Sequence, residues 1–206
     1  MLRRAKQTGD TLIEVLFAVT VFSLVVVGSI SIMNQGTNAA QHSLEITLVR
    51  QQIDAQAESL RFLHDSYVTA YQKNATYSGP AAQWAALLAS TKATPITSAT
   101  SFTDISTSCP SPQNGSFVIH STSASFLTGG SVKFLPASGF AKVDYSKVPT
   151  EAQGIWIEAV ASEVNADTTQ ANTGFIDFHI MACWPVQGSD APGTIATIVR
   201  LYDPRG

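Results

Sequence analysis

Charge is scarce in this chain. Asp, Glu, Lys and Arg make up 13% of 206 residues, about half the usual share of a soluble domain, roughly 25%. Basic charge is the scarcer sign, 12 against 15, for a net of −3. That balance offers no basic surface for nucleic acid. There are two cysteines, too few for a disulfide-dense scaffold and too few for a thiolate metal cage. The four histidines, His42, His64, His120 and His179, are scattered without ligand spacing, so no metal and no cofactor is expected. Phosphate loops, nucleotide fingerprints and internal repeats are missing as well. Length allows one domain plus an anchor, or at most two small domains.

What is abundant lies at the start. From Val15 to Met33 there is no charged residue. Such a run is apolar and long enough, near 20 residues, to cross a bilayer as a helix. Residues 1–9 carry Arg3, Arg4 and Lys6 and no acid, and the remainder holds nine basic against 15 acidic residues, a net of −6. By the positive-inside rule the N-terminus stays in the cytoplasm and the bulk is exported. One acid, Glu14, sits at the edge of the apolar run. Placed deep, it would cost on the order of 2–3 kcal/mol to insert.

Three readings of this start compete. A conventional signal peptide has an apolar core of about 7–15 residues and a small-x-small cut site, and "GSISIMNQG" offers only a poor one. A plain uncleaved anchor explains the length and the charge bias and gives Glu14 no task beyond snorkelling. The third reading rests on the basic leader "MLRRAKQTG", Gly9 at its end, Thr11 just beyond, and Glu14 as the fifth residue after Gly9. With "TLIEVLFAVTVFSLV", these residues resemble the N-terminal signal of type IV pilins and type II secretion pseudopilins over residues 3–35. The chain departs from that family at Asp10, where an apolar residue is usual.

The resemblance implies a pilin-like α+β fold, a long N-terminal helix packed on a C-terminal antiparallel sheet. It implies cleavage after Gly9 by a prepilin peptidase, N-methylation at Asp10, and assembly into a filament through Glu14. In a bundle of such helices Glu14 can face the new amine at Asp10 of a neighbour. A charge pair in a low dielectric attracts far more strongly than in water, and leaving one member unpaired is costly, so the pair rewards one axial register. The expected layout is a leader at 1–9, a transmembrane and assembly helix at 10–33, an amphipathic continuation at 34–68 and an α+β head at 69–206. Expected partners are other pilin subunits, the peptidase, an inner-membrane assembly platform and the lipid bilayer, with nucleic acid only for a DNA-uptake pilus. The expected location is the cytoplasmic membrane and the extracellular pilus. A minor pilin is the first reading. A pseudopilin of a secretion or DNA-uptake machine is the second, and a surface binding protein with an uncleaved anchor the third.

Beyond "NQGTNAAQHS", with Gly36 as an expected soft spot, Leu44, Leu48, Ile53, Ala57, Leu60, Leu63 and Tyr67 recur at helical steps. They predict an amphipathic stripe that the head must cover. "GPAAQWAALLAS" predicts a short helix with Pro80 at its start and Trp84, Leu87 and Leu88 on one side. Residues 91–113, rich in Ser, Thr and Pro, predict an irregular surface connection. "GSFVIHS" and "SVKFLP" are expected to pair first. "GIWIEAVAS", "GFIDFHIMACWP" and "TIATIVRLYDP" follow as strands with β-branched and aromatic enrichment.

Cys109 and Cys183 are either a bridge or two buried thiols. Export permits a bridge, and closing a loop of about 75 residues would contribute roughly 4 kcal/mol by chain entropy. Pilins often clamp their C-terminal region in this way. No enzyme is expected. Asp177 and His179 share a strand face without an activated nucleophile, and Cys183 lies about 13 Å from His179 along a strand. Glu163, Asn165 and Asp167 alternate as oxygen donors of the kind calcium takes, but the loop order fails at Gly174 and a hairpin turn explains the same residues. Two sequons, at Asn74 and Asn114, are short enough to arise by chance.

Overall fold

The computed structural model describes residues 10–103, 108–161 and 174–202. Gly9 and the three donors between 163 and 167 lie outside them. Two compact units emerge, Met1–Leu44 and Glu45–Gly206. A single helix, α1 (Asp10–Gln72), contributes to both.

In the first unit α1 holds nothing but itself. Fifteen large apolar side chains from Leu12 to Met33 are exposed, Leu24 by 73% and Phe17 by 70%. The stretch is long and apolar enough to cross a membrane by length and composition. Three of its hydroxyls are bonded within the helix. Thr20 Oγ1 donates to the Phe17 carbonyl, Ser23 Oγ to Val19 and Ser29 Oγ to Val25, each at 2.8 Å. Such back-bonding spares these three donors from facing lipid unpaired. The helix runs unbroken through Gly36, so the expected soft spot does not interrupt it.

In the second unit the same helix is amphipathic. Val49, Ile53, Ala57, Leu60, Leu63 and Tyr67 are buried in one continuous core. The buried stripe starts five residues later than expected, at Val49: Leu48 is half-buried and Leu44 exposed. Helix α2 (Pro80–Ala93) opens with proline, whose missing N–H costs nothing there, and buries Ala81, Trp84 and Leu87. Trp84 meets His64 edge-on at 5.1 Å and Phe178 at 5.5 Å.

Among the described residues eight strands follow: β1 (Val118–His120), β2 (Ser125–Leu127), β3 (Val132–Leu135), β4 (Lys142–Asp144), β5 (Thr150–Gln153), β6 (Ile155–Ala161), β7 (Phe175–Trp184) and β8 (Gly193–Tyr202). The fold class is α+β with a long apolar N-terminal helix. The strands form three small sheets rather than one: β1-β2, β3-β5-β4 and β6-β7-β8. All pairs are antiparallel except β3 with β5. A parallel pair needs a crossover, and the chain through β4 provides it. The expected pairing of "GSFVIHS" with "SVKFLP" is therefore corrected. The first pairs with β2, the second with β5.

Gly154 joins the second sheet to the third. It has φ +65, and a Cβ there would collide with the Cys183 carbonyl and approach Ala137 Cβ to 2.7 Å. Its N–H donates to Leu135 and its carbonyl accepts from Cys183 N–H, both at 2.8 Å. In the third sheet alternate residues face opposite ways. Ile157, Phe178, Ile180 and Val199 enter the main core with α1. Trp156, Met181 and Cys183 form a second cluster with Phe102, Cys109 and Phe134.

Candidate functional site

Two places carry chemistry that the apolar background does not explain. The first is the start of α1. Asp10 is its first residue. Glu14 is exposed and has no hydrogen-bond partner among the described residues. It lies one turn from Asp10 along the helix, ahead of thirteen of the fifteen bare apolar side chains.

The second place is the loop between α2 and β1, held against the second cluster. Cys109 and Cys183 are bonded, with Cα atoms 5.7 Å apart and a sequence separation of 74. Cys183 is thus no thiol nucleophile. Glu158, in the middle of β6, is fully buried. Its carboxylate accepts from the Thr100 N–H at 2.7 Å and hydroxyl at 2.8 Å, from the Trp156 indole at 2.9 Å and from the Gln113 amide at 3.3 Å. An acid buried without a cation is tolerable only when hydrogen bonds replace the lost water, and here four do. Phe102 meets Trp156 edge-on at 6.2 Å. Bridge, acid and aromatic pair together hold a loop whose described residues before Cys109 have only the isolated bridge Ile96–Val160 as regular structure of their own.

A third polar link ties α1 to the sheets. Gln56 is fully buried. Its Nε2 donates to the Ile119 carbonyl and its Oε1 accepts the Ile119 N–H, both at 2.8 Å, and Nε2 also reaches Tyr145 at 2.9 Å. The side-chain amide thus pairs with β1 as a neighbouring strand would.

Asp177 and His179 do share a face of β7. Asp177, however, is engaged by Arg200 of β8 through two bonds of 2.7 Å. These bonds first, and the guanidinium charge after them, hold the Asp177 carboxyl below its usual range. Arg200 stacks on Phe175 at 3.9 Å. Two bonds from Ser146, side chain and then backbone, lower Asp144 in the same way. A cavity of about 320 Å³ opens beside the bridge, lined by Cys109, Pro110, Pro112, Phe134, Pro136 and Trp156 among others. No acid, base or free thiol is among its lining residues. Among the described residues no group of three His, Cys, Asp or Glu could hold a metal. At the Asn114 sequon the Ser116 hydroxyl is buried without a partner.

Glu158 and Gln56 were missed from the sequence. The signal for Glu158 was present: one acid inside the otherwise apolar "GIWIEAVAS" is the pattern that made Glu14 conspicuous. Compared with protein-family models, with curated proteins and with solved structures, the chain matches none of them. A long apolar N-terminal helix, a β-rich C-terminal part and a disulfide are together compatible with a pilin-like subunit.

Proposed function

We propose that this chain is a pilin-like filament subunit, a minor pilin of a type IV pilus, with a structural rather than a catalytic role. In this reading a prepilin peptidase cuts after Gly9 and the new amine at Asp10 is methylated. The helix rests in the cytoplasmic membrane until an assembly platform moves it into the fibre. The observation that carries the reading is the bare helix itself. Fifteen large apolar side chains stand exposed between Leu12 and Met33. Each is worth about 1.5–3 kcal/mol when taken out of water. Lipid covers them before assembly and the helices of other subunits afterwards. Glu14 then pairs with the neighbour's amine, and the pair selects the axial register.

The clamped head supports the reading from the other end. A bridge between Cys109 and Cys183 belongs to an oxidising compartment, on the far side of a membrane that the basic start does not cross. The intact mass of the protein, purified from membranes of a cell with an active prepilin peptidase, tests the proposal. The expected mass is that of residues 10–206 with one added methyl group. A full-length chain identifies an uncleaved anchor and overturns it.

A further inference from the structure

We propose that the free edge of β8 is a pairing surface for a second copy of this chain, joined strand to strand and antiparallel about a local two-fold axis. The inference concerns the Glu45–Gly206 unit and stands apart from the filament reading. It begins with the phase of the hydrogen bonds. Cys183 N–H donates to Gly154, so the odd-numbered residues of β7 direct their main-chain groups at β6. The even-numbered ones therefore face β8. With Trp184 opposite Gly193 and Phe178 opposite Val199, the odd-numbered residues of β8 complete that ladder. Thr194, Ala196, Ile198, Arg200 and Tyr202 turn their main-chain groups to the outside. The Tyr202 carbonyl agrees with this phase, since it accepts from His64 Nε2 at 2.8 Å.

The two edges of this sheet are treated differently. The β6 edge is filled: Phe117 and Ile157 exchange two bonds, Ile96 bridges Val160, and Gly154 bonds Leu135. The β8 edge is filled at Tyr202. Among the described residues the main-chain groups of Thr194, Ala196, Ile198 and Arg200 have no partner. Edges that must stay single are blunted by proline, lysine or a short strand. β8 is ten residues long and contains neither. Its one charge, Arg200, is turned back across the strand onto Asp177.

Only an extended main chain satisfies alternating N–H and C=O groups, and this edge is its own complement. Antiparallel pairing centred on Ile198 sets Ile198 opposite Ile198 and Ala196 opposite Arg200, outward-facing groups on both sides. No like charges stand opposite each other in that register. Neighbouring Arg200 residues are offset by four positions, about 13 Å along the strand, beyond a Debye length of about 8 Å. The pairing covers Ile198, which is 58% exposed.

The test uses the full chain in detergent with an Ile198→Cys substitution. Opposed residues of a hydrogen-bonded pair have Cα atoms about 5.5 Å apart, within disulfide reach. Mild oxidation should give a covalent dimer, at least tenfold above that of Ser146→Cys, an exposed control in the turn after β4. Adding Ala196→Pro removes an outward N–H without touching the β7 ladder, and should cut the cross-link at least tenfold. Ile198→Lys should abolish the dimer formed through this edge without lowering the melting temperature. A cross-link no stronger than the control overturns the proposal, whether the edge is bare or takes a different protein. So does a cross-link unchanged by Ala196→Pro. If the proline variant unfolds, the Ile198→Cys result decides alone.

Discussion

Two acids, each alone in an apolar stretch, divide this molecule. Glu158 lies inside β6, buried, with four donors around its carboxylate. Glu14 lies in α1, exposed, ahead of a helix face that no described residue of its own unit covers. The same physics governs both, because a carboxylate leaving water needs donors or a cation in exchange. Glu158 finds its donors within the chain and so serves the fold. Glu14 finds none among the described residues, and in our account its partner belongs to another molecule. The contrast extends to the helix that spans both units. From Glu45 onward its apolar stripe is matched by sheets, and from Leu12 to Met33 its bare apolar surface runs all round.

If that division is right, damage to the second unit lowers stability, and damage to the first leaves the head's stability alone. The largest effect should come from the bridge. Replacing Cys109 and Cys183 with Ala removes the closure of a 74-residue separation, and should cost about 4 kcal/mol in urea unfolding. A loss below about 1 kcal/mol would mean that Glu158 and the aromatic contacts hold the loop without it. Glu158→Leu comes next. It strips acceptors from Thr100, Trp156 and Gln113 and should cost about 2–3 kcal/mol. Glu14→Leu should change the same unfolding midpoint by no more than its error. Equal effects from the two substitutions would erase the distinction.

These expectations rest on features that were unevenly legible in the sequence. The apolar span, the amphipathic stripe and the three long strands β6, β7 and β8 declared themselves through periodicity and β-branched enrichment. The short strands did not. β5 reads "TEAQ" and β2 "SFL", too brief and too mixed to signal pairing, so the three-sheet arrangement and the parallel β3-β5 pair were invisible. They are set by the crossover through β4 and by Gly154, which is tertiary geometry. Gln56 could not be found either. A glutamine on a helix reads as surface until a strand end is brought against it. Glu14 was conspicuous because its surroundings are uniform over twenty residues, whereas Glu158 had only a nine-residue run to stand out from.

The smallest effect sharpens the comparison from the exposed side of the head. Asp177 and Arg200 form an ion pair on the outer face, and exposed pairs of this kind contribute under about 1 kcal/mol. Asp177→Asn should therefore cost only a few tenths of a kcal/mol at neutral pH. Because the Asp177 carboxyl is lowered from 3.8, its contribution is complete above that value. It fades as pH falls through the depressed value. Wild type and variant should converge in stability in acid. A gap that widens as pH falls would show the sign of the linkage to be wrong.

The central claim is that Glu14 has its partner in a neighbouring subunit, and sheared surface fibres test it most directly. Wild type and Glu14→Leu should both reach the membrane, and both should lose residues 1–9, since the leader and the cut site are unchanged. Removing an acid from the edge of the span should leave insertion intact or improve it. The account predicts Glu14→Leu in the membrane as mature protein, with at least a tenfold deficit in the fibres. Glu14→Leu in fibres at the wild-type level would make Glu14 a snorkelling residue and contradict the account.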